Sequence, residues 1–448
     1  MSSGQPRQPP FQELRACRRT PEPHEKIQAN VPGHGRARPA VGLCLMLIAA
    51  CGARTDLSSP HSISVLPDAS IGRLVPCVEL RPQQGPTTVQ FTLPVSLAVV
   101  DVFLLLDATG SMTDEIENVR SGLGSVVVPR VFDQIPDAAF GLALAGEFPV
   151  PPHADPDPMG GPRPFEMRAT ITQDPQRIVA ALQHIPSWGN RDEPEAQIEA
   201  LYQIATGEGL EPFIEPSAGC PFGGTGGACF RDDALPVVLM VTDAPFHNGP
   251  PDVPPYEPYR FGPPAPHSYE RTLEVLRERG ILVLGLGARD LFHSSPMPHL
   301  AALARDTGAV GEEALAFDIG HAGNEIGQSI VDAIKRLASD VPLDVDATIA
   351  DVPGDGFDAL SVVRGVRAVK ADPPAGVRRR TDRAFLGVQP GTRVTFELEL
   401  DAPNLRPESE TRRFGVLVTL RAEGRSRLDT QEVEVVLPGS DGGACGTQ

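Results

Sequence analysis

The sequence predicts an α/β fold, a doubly wound and mostly parallel sheet, with an antiparallel β-sandwich domain formed mainly by the C-terminal part. Three observations carry this. Val102 to Leu106 is a run of five apolar residues ending in Asp107. Val237 to Val241 is a second such run, ending in Thr242-Asp243. Continuous apolar runs read as strands buried on both faces, as a parallel sheet requires. From Val341 onward, helical spacing gives way to short segments punctuated by Gly and Pro. There Val394, Phe396, Leu398 and Leu400 alternate as in a strand with one buried face.

In chain order, 75–80 and 87–94 are loosely alternating strand-like stretches. A tight turn after Asp107 leads into a helix over 114–128, with acids in its first turn where the helix dipole favours them. Residues 138–148 and 165–172 are strand-like and form a hairpin. Its Pro/Gly/Asp loop, 149–164, falls at the Asp107 end of the sheet, where Asp155 and Asp157 are expected to be solvated acids, the alternative being an oxygen contributed to a site there. Apolar residues at 178, 179, 182 and 185 mark a helix over 176–185. Another helix covers 195–205, with Pro194 at its first turn, where a missing N–H costs nothing. The loop from Cys220 to Cys229 follows at the opposite end from Asp107. The strand ending in Asp243 returns the chain to the Asp107 end, and a second Pro-rich loop, 245–266, stays there. Helices over 269–279, 300–306 and 324–339 and a strand over 281–286 complete the alternation, which puts helices on both sides of a parallel sheet.

The sandwich strands are expected at 345–349, 360–369, 393–400, 414–422 and 431–437. The early strands lack partners in the α/β sheet and are expected to join this sandwich, making it discontinuous. The resulting organisation is a signal segment 1–51, a tether 52–74, strands 75–98, an α/β domain 99–339, a β-sandwich 340–440 and a tail 441–448.

In open α/β sheets, ligands bind beyond the carboxyl ends of the strands. Asp107, Thr109 and Ser111 place a carboxylate and two hydroxyls on one turn at such an end. Asp, Thr and Ser are also ordinary turn and cap residues. As hard oxygen donors they suit Mg²⁺ or Ca²⁺. Two further stretches sharpen the reading: Gly189 to Glu195, GNRDEPE, and Val237 to His247, VVLMVTDAPFH. Together the three stretches resemble the metal-ion-dependent adhesion site of von Willebrand factor type A domains, nearest to the I-like domain of integrin beta subunits. The resemblance covers roughly 99–339. It implies a main Mg²⁺ (or Mn²⁺) site from Asp107, Thr109, Ser111, Glu195 and Asp243, with a place left for a carboxylate of a protein partner. It also implies flanking Ca²⁺ sites, one from Asp114 and Glu115, another from Asn190, Asp192, Glu195 and the backbone of Pro194. Thr109 stands where the family has Ser, keeping the hydroxyl. Glu115 stands where it has Asp, lengthening the reach. The resemblance leaves one further acid of the second flanking site unassigned.

The N-terminus reads as a targeting segment. Arg36 and Arg38 precede the apolar run Val41 to Ala50, too short to span a bilayer. Leu47-Ile48-Ala49-Ala50-Cys51 resembles a bacterial lipobox, which implies lipidation of Cys51. Gly52, rather than Asp, implies outer-membrane sorting. Residues 1–35 make an unusually long lead, and Val31 is an alternative start. The expected location is the bacterial cell envelope, with a lipid anchor as the membrane contact. Disulfides persist outside the cytoplasm. Four cysteines remain after Cys17, Cys44 and Cys51, and four allow three pairings. Cys220 and Cys229 share one Gly-rich loop and are expected to pair, leaving Cys77 for Cys445.

With 58 acidic against 39 basic residues in 448, the formal charge is −19, which argues against a nucleic-acid partner. Lys occurs only at 26, 335 and 370, an Arg bias expected of a GC-rich genome. The chain contains no Gly-x4-Gly-Lys-Ser/Thr, His-Glu-x-x-His or Gly-x-Ser-x-Gly motif. The histidines at 247, 267, 293 and 299 fall in Pro-rich or polar loops and are expected to be solvated. Trp188 is expected to pack beside the second loop. The sequence therefore points to a non-enzymatic, envelope-anchored recognition or adhesion module that binds an acidic group of a partner through Mg²⁺. The alternatives are a structural member of an envelope assembly whose metal only braces loops, and a metal-dependent hydrolase, for which no base stands out.

Overall fold

The computed structural model describes residues 75–445 apart from 123–125, 157–160, 290–293, 322, 324 and 407. The expectations for Cys51, the tether 52–74, Asp157 and His293 fall outside the described residues. The α/β sheet is built on β3 (Val99–Asp107), every residue of which is buried. The two faces of β3 serve different cores. Val102, Leu104 and Leu106 pack with Ile116, Val131 and Ile330, while Phe103 and Leu105 pack with Ile198, Leu201 and Leu276. Period-2 alternation between two apolar layers is why the run shows no polar position.

Beside β3 lie β4 (Asp137–Ala145) and β6 (Leu235–Thr242), both parallel to it. Outside them are β5 (Glu166–Thr172), antiparallel to β4, and β7 (Leu282–Arg289) and β8 (Ala316–His321), both parallel. The order is β5-β4-β3-β6-β7-β8. The helices are α1 (Thr113–Gly122), α2 (Val128–Gln134), α3 (Pro175–Ala181), α4 (Gln197–Thr206), α5 (Tyr269–Glu278), α6 (Met297–Thr307) and α7 (Ile326–Asp340). Helices α1, α2 and α7 pack together, and α4, α5 and α6 form a second group.

The remaining strands form two sheets. One runs β1 (Cys77–Glu79), β15 (Ser426–Leu437), β14 (Arg412–Ala422), β9 (Leu343–Asp351), β12 (Ala384–Val388), β11 (Val377–Arg380). The other runs β10 (Val363–Asp372), β13 (Arg393–Leu400), β2 (Thr87–Pro94). The rings of Phe385 and Phe396 meet between them at 5.2 Å. β2 pairs with β13 from Thr87↔Leu400 to Pro94↔Arg393, so the early strands find their partners about 300 residues later. β1 pairs with β15 in parallel, a departure from the antiparallel expectation. Disulfides join Cys77 to Cys445 across 368 residues and Cys220 to Cys229 across 9.

Several elements differ from the sequence reading. Of the helix expected over 114–128, Thr113–Gly122 is helical as α1, and helical structure reaches beyond the expected end to Gln134 in α2. The helix expected from Glu195 begins at Gln197. Strands β8, β11 and β12 were not expected. β8 and β11 lie at sheet edges, and Ala-Phe-Asp-Ile-Gly-His and Val-Arg-Arg-Arg lack the apolar pattern that marks a buried strand.

At the amino end of the sheet, Asp101 is buried and meets Arg231. The Arg231 Nε donates to its Oδ1 at 2.7 Å and the Arg231 amide to its Oδ2 at 2.6 Å. The same guanidinium donates to Asp137 Oδ1 at 2.6 Å. The junction with the sandwich lies here: Arg427 pairs with Asp137 and Asp233, and Ser426 Oγ donates to the Val99 carbonyl. Burial pushes Asp101 up to about 6 against the attraction of Arg231. Arg231→Ala removes the only side-chain partner that the buried Asp101 carboxylate has among the described residues, a change that costs about 3–5 kcal/mol. Urea denaturation should show that loss; a midpoint unchanged from wild type would show that Asp101 is not held by Arg231.

Candidate metal centre

The turn after β3 is organised by Asp107. Its Oδ1 accepts from the Thr109 amide at 3.0 Å and the Thr109 hydroxyl at 2.6 Å. Its Oδ2 accepts from Thr242 Oγ1 at 2.7 Å and from Gln197 Nε2 at 3.2 Å. Thr109 caps a short 3-10 turn, Gly110–Met112, which brings its hydroxyl within 3.2 Å of Ser111 Oγ. Ser111 Oγ in turn donates to Asp243 Oδ1 at 3.2 Å. One chain of contacts therefore links Asp107, Thr109, Ser111 and Asp243. Ser111 is exposed while the other three are buried, so the cluster meets solvent at Ser111.

Glu195 arrives on a loop stitched to both strand ends. Trp188 N donates to the Ala108 carbonyl, Glu195 N to the Pro245 carbonyl, and His247 N to the Glu195 carbonyl. Trp188 is buried against Gly146, where a Cβ would fall 2.5 Å from its ring, so the close approach requires glycine. The Glu195 side chain is 1% exposed. Its Oε1 accepts from Asn190 Nδ2, and its Oε2 has no hydrogen-bond partner among the described residues. It makes no direct bond to Asp107 or Asp243, but feels both charges.

Three parallel strands in a row thus lead to an acid: β4 to Glu147, β3 to Asp107 and β6 to Asp243. Burial raises Asp107, against hydrogen bonds from Thr109, Thr242 and Gln197. Burial, then the Asp107 charge, pushes Asp243 up to about 7. Burial, then the charges of Asp107, Glu147 and Asp243, drives Glu195 well above the usual carboxylate range. An orphaned buried oxygen on Glu195, mutually repelling carboxylates and two convergent hydroxyls fit a hard divalent cation. The residues that would hold it are Asp107, Thr109, Ser111, Glu195 and Asp243.

The residues of the implied flanking sites are placed as follows. Asp114 is exposed at the start of α1, and Glu115 is buried beside Gly323. Pro194 is buried. Asn190 donates its amide to the Asp192 carbonyl at 2.6 Å as well as to Glu195. Asp192 turns its Oδ2 to His153 Nδ1 at 2.6 Å and to His247 Nε2 at 3.1 Å.

The expectation of solvated loop histidines is corrected. His247 is 2% and His299 0% exposed. His299 accepts from the Phe246 amide and contacts the Val253 carbonyl, holding the loop after β6. His267 stacks on Tyr202 at 3.5 Å and pairs with Glu199. Pro-rich loops here fold inward onto the sheet end, because α4 is buried along its length and supplies polar groups that need partners. Glu147, His153 and Tyr259 escaped the sequence reading, and His247 was read only as a solvated loop residue. The one available signal was Glu147, the first acid after the apolar run of β4.

No protein-family model matches the chain, and no curated protein matches it. Among solved structures it is similar to a von Willebrand factor type A protein from Catenulispora acidiphila, at 11% identity over 80% of this chain and 71% of that one, with a TM-score of 0.36. It is also similar to the pilus adhesin SpaC from Lactobacillus rhamnosus GG in an open conformation, at 13% identity over 79% of this chain and 45% of that one, with a TM-score of 0.34. Proximal thread matrix protein 1 of the mussel byssus matches at 12% identity over 56% of this chain and 48% of its own length, with a TM-score of 0.31.

The raised carboxylates set the sign of a pH effect. A carboxyl raised in the folded state contributes stability that is full below its unfolded pKa and is lost as pH rises through the folded value. For Asp243 that window runs from about 4 to about 7. Protein kept in chelator should therefore melt at a higher temperature at pH 5 than at pH 8, and Mg²⁺ should restore more at pH 8. A chelated protein whose melting temperature rises across that interval would contradict the assignment.

Proposed function

We propose that this chain is an envelope-anchored recognition module of the von Willebrand factor type A kind, which binds an acidic group of a protein partner through Mg²⁺ (or Mn²⁺) held at the Asp107 cluster. The observation that supports it is the convergence of Asp107, Thr109, Ser111 and Asp243 in one contact chain, with the unpaired Glu195 oxygen beside it and Ser111 open to solvent. A divalent cation bound there supplies positive charge that a partner carboxylate can complete. The flanking acids Asp114 and Glu115 add negative charge around the same turn and are offered to Ca²⁺ in this reading. No reaction is assigned to the site.

Binding of a metal to the folded state alone raises stability by mass action. Wild-type protein should melt higher in Mg²⁺ than in chelator, and Asp107→Ala should lose that gain while keeping its far-UV spectrum. Equal metal-induced shifts in the two proteins would place the cation elsewhere. Capture of a partner from envelope extracts should follow the same dependence on Mg²⁺ and Asp107. A metal-induced shift with capture that ignores chelator would favour a cation that only braces loops.

The anchor is a separate part of the proposal. It rests on the apolar run before Cys51 and places the protein in the bacterial envelope, on the outer membrane. Cys51→Ser should release the protein from membranes or stall its processing. Continued lipid labelling of that variant would refute the anchor.

A further inference from the structure

A second cluster is built on the same stitched loops that hold Glu195, and its chemistry differs. Glu147, His153, Asp192 and His247 each offer one ligand atom, and the four atoms lie within 4.8 Å of one another. Three separate segments bring them together: the residues after β4 that carry Glu147 and His153, the loop 188–196 before α4, and the loop 245–266 after β6. The geometry points to a nitrogen- and oxygen-liganded centre for Zn²⁺ or a similar borderline divalent metal at these four residues, sharing no ligand with the Asp107 cluster and only Asp192 with the flanking Ca²⁺ sites that the resemblance implies.

The tautomer of His247 is the first argument. Its Nδ1 lies 2.7 Å from the Glu257 carbonyl, an acceptor only, so Nδ1 carries a hydrogen and donates it. In the neutral ring this leaves the Nε2 lone pair aimed at Asp192 Oδ2, 3.1 Å away, and at Glu147 Oε2, 3.5 Å away. Three lone pairs facing one another repel unless a proton or a metal ion sits among them. A ring N–H fixed on a backbone carbonyl is also the usual outer support of a metal-bound histidine.

The second argument is unsatisfied polarity. Glu147 is fully buried, and its Oε2 has no hydrogen-bond partner among the described residues; nor does Asp192 Oδ1. Glu147 Oε1 is taken by Tyr259 OH at 2.6 Å and by the Phe148 amide, which aims Oε2 at the cluster. Orphaned buried carboxylate oxygens are costly, and a metal would complete them.

Size and access agree. Two ligands of a tetrahedral zinc lie about 3.4 Å apart, from bond lengths of roughly 2.0–2.2 Å. The separations of 2.6, 3.1 and 3.5 Å bracket that value. Two imidazoles and two carboxylates suit zinc better than calcium, which prefers six to eight oxygens. The rings of Tyr259 and Phe261 wall the cluster, and a cleft of about 410 Å³ lined by His153, Asp192 and His247 gives an entry path.

The experiment uses the full-length protein in detergent, stripped with chelator and returned to millimolar Mg²⁺ so that the oxygen cluster is saturated. Calorimetric titration with Zn²⁺ should show one ion bound per chain. Co²⁺ in its place should give the intense visible bands of a four-coordinate site. His247→Ala and His153→Ala should each weaken Zn²⁺ binding by more than the roughly 100-fold that loss of an outer supporting residue can cost, and both should keep the Mg²⁺-induced melting shift, which shows that they fold. Asp107→Ala should bind Zn²⁺ as wild type does, so failure of the oxygen site leaves this result intact. Absence of Zn²⁺ binding in Mg²⁺ would overturn the inference. So would undiminished binding in both histidine variants, or displacement of Zn²⁺ by equimolar Ca²⁺.

Discussion

The structure turns on a concentration of carboxylates at one end of a buried parallel sheet. Side by side, β4, β3 and β6 deliver Glu147, Asp107 and Asp243 to the same edge, and the loop before α4 adds Glu195 between them. Like charges in a low-dielectric setting repel strongly, and desolvation penalises each of them besides. Everything packed around that edge is a response. Thr109, Thr242, Gln197, Asn190 and Tyr259 all point donors at these oxygens. What they leave unmet, on Glu195, Glu147 and Asp192, is where the two proposed cations would sit.

The loops explain how so much charge is held in place. Helix α4 is buried from Gln197 to Ala205, so its polar side chains act as internal clamps. Gln197 reaches Asp107 and Thr242, Glu199 holds His267, and Gln203 holds Glu199 and the Gly209 amide. The Pro-rich segment after β6 is fixed through His267, His299 and Tyr259 rather than through regular secondary structure. Rigid prolines limit the entropy that ordering such a loop costs. The two proposed centres share this frame, with Glu195 and Asp192 three residues apart on one stitched loop.

The other end of the sheet carries the opposite logic. Asp101 and Asp137 are matched by Arg231, and Arg427 from the sandwich joins them. Charge is neutralised where the domains meet and left unbalanced where the loops open. The sandwich depends on the same junction, since β2 and β1 leave it before the α/β sheet begins and the Cys77–Cys445 bridge closes it afterwards.

By itself, the sequence determined what is local. Apolar runs ending in Asp107 and Asp243 mark central strands, because burial on both faces permits no polar position. The hydroxyls of Thr109 and Ser111 are read on the same turn because three to five residues cannot separate far. Two disulfide pairings follow from loop proximity and elimination. The tertiary structure decided what depends on distant segments meeting. Glu147 is masked by an intervening glycine and a following Phe-Pro, so its alignment with Asp107 appears only when β4 registers beside β3. His153 and His247 lie 94 residues apart in loops whose composition reads as solvent-exposed. They become partners because α4 and the sheet edge supply a buried surface for those loops to cover. Edge strands β8 and β11 belong to the same class: their pairing comes from backbone bonds to a neighbour, which leave no periodic trace in side chains.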